Sequence, residues 1–132
     1  MIALDTNILV RILVGDDTAQ EHLAQNLVGG LTPEVPGFVA REVLVELAWV
    51  LRRVYRLPRG EICNALEGVL STSTFAVETA DDAARALDAY RAGAADFADL
   101  MILAAARRAG AALVTLDRKL GGQDGATLLE GA

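Results

Sequence analysis

The chain has 132 residues, 53% hydrophobic and 23% charged, which suits one compact domain with a real core and is too apolar for a disordered segment. Its net charge of −6 and pI near 4.7 exclude a protein that holds nucleic acid by a basic surface alone. A single cysteine, Cys63, excludes an intrachain disulfide and a thiolate metal cluster.

In chain order, Met1 to Leu4 reads as a short buried strand. "NILVRILVGDD" has helical length and stops at Gly15. Asp16, Asp17 and Thr18 cap a second helix through "AQEHLAQNLV", which ends at Gly29-Gly30. "EVPGF" is a short extended stretch, where Pro36 disfavours a long central strand. In "VAREVLVELAWVLRRVYRL", Val39, Val43, Glu46, Leu47, Val50, Leu51 and Val54 share one helical face, and Pro58 stops the helix. "RGEICNALEGVL" begins another helix, and "TFAVE" reads as a strand. "ADDAARALDAYRAG" and "DFADLMILAAARRAG" read as helices ended by Gly93 and Gly110. "AALVTLD" is the clearest strand, and "ATLLE" is a candidate last one.

Strands alternating with helices imply an α/β fold with a mainly parallel sheet covered by helices. No linker, repeat or low-complexity tract interrupts residues 1–132, so one domain is expected. The mean hydropathy of +0.35 is high, as for a sheet covered on both faces or a sizeable subunit interface. No apolar run approaches the roughly 18 residues of a membrane span, and Asp5 comes too early for a leader peptide. A cytoplasmic location is the expectation.

Ligands in such folds gather beyond the carboxyl ends of the strands. Asp5 ends the first strand, and Asp117 ends "ALVTL". Asp96 and Asp99 open the helix that feeds that strand, and Glu46 sits mid-helix among apolar residues. Four or five carboxylates are thus expected at one edge. Packed like charges repel unless a cation offsets them, and Mg²⁺ or Mn²⁺ prefers such hard oxygen donors. His22 is the only histidine and has no partner for zinc. A site of this kind suits phosphodiester hydrolysis by an activated water. Plainer roles compete: Asp96 as a helix cap, Asp99 as complement to the helix dipole, Asp117 as the cap of the "RKL" turn. Thr6 and Asn7 either cap the first helix or hold the site by hydrogen bonds, and Thr115 either faces the core or supports Asp117.

These segments, in this order, resemble the PIN-domain family. "MIALDTNILVRILVGDD" resembles the opening of VapC-type toxins, and "VLVELAWVLRR" their central Glu-bearing helix. "ADFADLMILAAARRAG" and "LVTLDRKL" resemble the segments with the third and fourth acids. The resemblance implies a single PIN-like α/β/α sandwich with a central sheet of four to five strands. It carries the catalytic acids over as Asp5, Glu46, Asp99 and Asp117, with Asp96 as an extra metal ligand beside them. Asn7 and Thr115 match the family's polar positions, with Thr6 between Asp5 and Asn7.

The activity implied is Mg²⁺- or Mn²⁺-dependent cleavage of RNA that halts translation. A cognate VapB-type antitoxin and a homodimer are the implied partners. Arg11, Arg52 and Arg53 are candidates for contact with RNA or antitoxin, while a solvated helix face or a pair between Arg11 and Asp16 or Asp17 is the plainer reading. A housekeeping RNA-processing nuclease without antitoxin and a non-catalytic acidic interaction domain are the alternatives.

Overall fold

The computed structural model describes residues 1–130. It is a mixed α/β structure with parallel strands, in two compact units, Met1–Ala80 and Asp81–Ala132. In the first unit the order is β1 (Ile2–Ala3), α1 (Thr6–Val14), α2 (Thr18–Gly29), β2 (Gly37–Val39), α3 (Arg41–Arg53), α4 (Arg59–Ser71) and β3 (Phe75–Val77). The second holds α5 (Ala80–Arg91, whose first residue closes the first unit), α6 (Phe97–Arg108), β4 (Leu113–Thr115), α7 (Arg118–Gly121) and β5 (Ala126–Leu128). The five described strands form two ladders, a three-stranded sheet in the order β1-β2-β3 and a β4-β5 pair, both parallel.

In the first unit, α1 packs on α2 and α3, and α3 packs on α4. Leu9, Leu44, Leu47, Leu51, Ile62, Leu66 and Val39 are its largest fully buried side chains. α1 ends where the sequence predicts, because Gly15 adopts φ 68° and its N–H reaches back to the Arg11 carbonyl. β2 is central, yet only three residues long, and starts immediately after Pro36. Pro36 has no N–H to give, but its carbonyl accepts the Ile2 N–H at 2.9 Å, so the ladder begins without a lost bond.

Gly37 is required here for space. A Cβ at this position would lie 2.8 Å from Leu4 Cδ1 and 2.9 Å from Leu31 Cδ1. Gly37→Ala should therefore destabilise the fold by about 1–3 kcal/mol, read as a lower urea midpoint with unchanged slope.

The third helix differs from the expectation at both ends. Val39 belongs to β2, and α3 stops at Arg53 rather than running to Pro58. Pro58 disfavours helical backbone at the residue before it. The chain uses the preceding segment to turn: the Leu57 N–H returns to the Leu51 carbonyl, and Arg56 takes φ 55°. The buried seam is Leu44, Leu47, Ala48 and Leu51, so Val54 and Glu46 are both exposed. Glu46 thus needs no charge partner to be tolerated.

In the second unit, α6 packs against β4, and α7 against β4 and β5. Tyr90 and Phe97 meet edge to face, 6.0 Å between centroids at 71°, and both are buried. Phe97 is the first residue of α6, so this contact fixes the end of the helix that carries Asp96 and Asp99. Asp82 is buried on the same face of α5 as Ala86 and Tyr90. Arg108 grips it through Nε and Nη2, each at 3.0 Å. The sequence marks Asp82 only as part of a helix start; its i, i+4, i+8 relation to Ala86 and Tyr90 was the available signal.

Candidate active site

Asp5 follows β1 and occupies the N-cap of α1. It is exposed, unlike its neighbours Leu4 and Thr6. One oxygen, Oδ1, accepts the Thr6 backbone N–H at 2.8 Å. The charge in this apolar run is therefore solvated at the strand end, not enclosed. Thr6 supports it by its backbone, while the Thr6 hydroxyl is buried and has no hydrogen-bond partner among the described residues. Asn7 is exposed beside it.

Arg11 is tied down locally. Its Nη1 lies 3.2 Å from Asp16 Oδ1 and 3.3 Å from the Tyr55 hydroxyl, and its Nε donates to Gln20 Oε1 at 2.5 Å. The Tyr55 hydroxyl donates in turn to Asp16 Oδ2 at 2.8 Å. This network joins the α1–α2 turn to the segment after α3, which is a structural use of Arg11. Arg52 and Arg53 are exposed in the last turn of α3, where positive charge complements the helix dipole.

In the second unit three carboxylates are brought together. Asp96 stands at the N-cap position of α6, but its side chain makes no capping hydrogen bond. Asp99 lies in the first turn of the same helix, half-buried. Asp117 follows β4 and caps α7, with Oδ1 accepting the Leu120 N–H at 2.9 Å. The Thr115 hydroxyl accepts the Asp117 N–H at 3.0 Å, so Thr115 does orient the segment that carries the acid. Burial first, and then the charges of Asp96 and Asp117, push the Asp99 carboxyl above the usual carboxylate range. Asp5 and Glu46 belong to the first unit and are placed there on separate elements, β1–α1 and α3.

The donor chemistry fits a hard divalent cation: all oxygen, all anionic, with no competing thiolate or imidazole pair. Asp5 and Asp117 each commit one oxygen to a backbone N–H and retain the other. Among the described residues, however, no three such side chains already stand at ligating spacing.

Comparison with known proteins adds what the geometry leaves open. The family model described as "PIN domain" matches residues 2–124. The chain belongs to the PIN domain family. No curated protein and no solved structure gives a significant match. The PIN domain is generally a nuclease fold, and PIN nucleases bind RNA and usually use divalent metals. The match runs through both compact units. No helix among the described residues is long and apolar enough to cross a membrane.

Proposed function

We propose that this PIN domain, occupying residues 1–132, is a Mg²⁺- or Mn²⁺-dependent endoribonuclease, the VapC-type toxin of a toxin–antitoxin pair. The observation that carries the reading is the PIN domain match over residues 2–124, a stretch that contains Asp5, Glu46, Asp96, Asp99 and Asp117. Asp5, Glu46, Asp99 and Asp117 are the catalytic acids of this reading, with Asp96 as a further metal ligand. Thr6, Asn7 and Thr115 support them. A bound divalent cation supplies a water of lowered pKa and steadies charge on the phosphate oxygens.

The chain's own contribution is to hold the acids in place. The Thr6 and Leu120 N–H groups each fix one carboxylate oxygen, so Asp5 and Asp117 each lose little further side-chain freedom when the other oxygen takes a ligand. Glu46, solvated on α3, is available to accept a proton from the attacking water. The acidic pI suits a VapB-type antitoxin that offers a basic side chain to the same acids. Arg11, Arg52 and Arg53 are the residues of this reading for RNA or antitoxin contact. A homodimer and a cytoplasmic location complete it.

The test is purified protein with Mg²⁺ or Mn²⁺ on total cellular RNA, with cleavage ends mapped. Discrete internal ends that vanish in Asp5→Ala support the reading. Ends that persist in Asp5→Ala would remove Asp5 from the chemistry. Growth arrest on expression, relieved by the product of an adjacent small reading frame, separates the toxin from a housekeeping nuclease.

A further inference from the structure

A second feature of the Asp81–Ala132 unit is built from other side chains than the three acids. Residues of α5 from Asp81 to Ala89 and of α6 from Leu100 to Arg108, with Gln123, line a cavity of about 410 Å³. It exists because α5 and α6 present small side chains there, Ala86, Ala89 and Ala104, where larger ones would fill the space. Along α6 the lining runs from Leu100, the residue after Asp99, to Arg108, and it includes none of Asp96, Asp99 and Asp117. A volume of this order is that of a small-molecule site.

The charges around it are uneven. Three guanidinium groups, Arg85, Arg107 and Arg108, face two carboxylates, Asp81 and Asp82. Arg108 is spent on the buried Asp82. Arg107 donates to the Asp124 carbonyl, a neutral acceptor, so its charge is not cancelled by that bond. Arg85 is exposed and makes no hydrogen bond among the described residues. Two cations are thus left to meet an anion, in a planar-donor form suited to phosphate. The remaining polar groups, the Gln123 amide and the Asp81 carboxylate, offer donors and acceptors to the body of a ligand, and the alanines with Leu100 and Leu103 leave a small apolar surface between them. A hydrocarbon acid would leave those polar groups unmatched, and a bare anion would leave the apolar surface unused.

We infer that this cavity binds a nucleoside 5′-monophosphate, with Arg85 and Arg107 on the phosphate and the base against the alanine surface. The site uses none of the side chains of the acidic set. Titration calorimetry on the full chain tests it, using each of the four nucleoside 5′-monophosphates, with inorganic phosphate and the unphosphorylated nucleosides as further probes. At least one monophosphate binds with a millimolar or tighter constant, more tightly than either fragment. Arg85→Ala and Arg107→Ala each weaken it about tenfold, whereas Asp99→Asn leaves it unchanged. A 5′-phosphorylated trinucleotide binds more weakly than the monomer, because the cavity has room for one nucleotide.

Failure of all four monophosphates to bind would overturn the inference. So would phosphate or nucleoside binding equally well, or full affinity in the double Arg85→Ala, Arg107→Ala variant. Loss of binding in Asp99→Asn would move the ligand to the acids, and tighter binding of the trinucleotide would make a strand end the ligand. Thermal melts of the arginine variants check that the loss is not unfolding, and Arg85 holds no hydrogen bond whose loss would cause it.

Discussion

Asp99→Asn should lower RNA cleavage by at least about a hundredfold and at the same time make the metal-free protein more stable at neutral pH. The two effects have one cause. Burial and the charges of Asp96 and Asp117 raise the Asp99 carboxyl above its ordinary value of 3.8. Between that value and the raised one, the folded protein keeps a proton that the unfolded chain has released. Stability therefore falls as pH rises through this window, and the penalty is complete above it. Asparagine keeps the shape and removes the charge. Melting curves should show Asp99→Asn above the parent at pH 7, with the difference gone below about pH 3.8. Asp99 is only partly shielded from water, so the gain is small beside the loss of activity. A parent protein stabilised by Mn²⁺, and a variant that is not, would complete the pattern.

The second large effect separates two adjacent residues of α3. Leu47 is 0% exposed, and Leu47→Ala should cost about 2–5 kcal/mol of stability. Glu46 is exposed, and Glu46→Gln should change stability by no more than about 0.5 kcal/mol. Cleavage should respond the other way. Glu46→Gln should lose at least about tenfold in turnover on a fully folded protein, as expected for removal of a proton acceptor. Leu47→Ala should retain its turnover per folded molecule at low temperature. Urea unfolding and single-turnover cleavage on the same preparations measure both. If Glu46→Gln unfolds the protein, its charge has a structural role that its exposure argues against.

Those two residues also show what the sequence makes legible and what it hides. Helix existence follows from periodicity, and helix ends follow from local chemistry such as Gly15 in left-handed backbone. The direction of a helix's buried stripe is harder. The apolar residues of α3 cover more than half of its circumference, so several seams fit the pattern; the face read from Val39, Val43, Glu46, Leu47, Val50, Leu51 and Val54 shares Leu47 and Leu51 with the observed seam, but takes in the exposed Glu46 and Val54 and leaves out Leu44 and Ala48. Tertiary packing decides between them.

Asp82 is the converse case. Two acids at a helix start fit a solvated N-terminus; the periodicity with Ala86 and Tyr90 places Asp82 on the buried face, but not its partner Arg108, 26 positions away. The identity of a partner that distant carries no local signal. Likewise, a mainly parallel sheet of four to five strands was legible, but the division of the described strands into a β1-β2-β3 sheet and a β4-β5 pair depends on ladder bonds that no single segment encodes. At the candidate site, Asp117 as a cap and Thr115 beside it were both legible, because each rests on contacts within three residues.

The central claim is that these carboxylates work through a divalent cation on RNA. The most direct test strips the protein with chelator, then follows cleavage of a defined RNA and the melting temperature together as Mn²⁺ is added. Cleavage absent at zero metal, rising with the same saturation as the melting temperature, and missing in Asp99→Asn is the predicted result. Cleavage that persists in excess chelator, or that Asp99→Asn supports at the parent's rate, would contradict it.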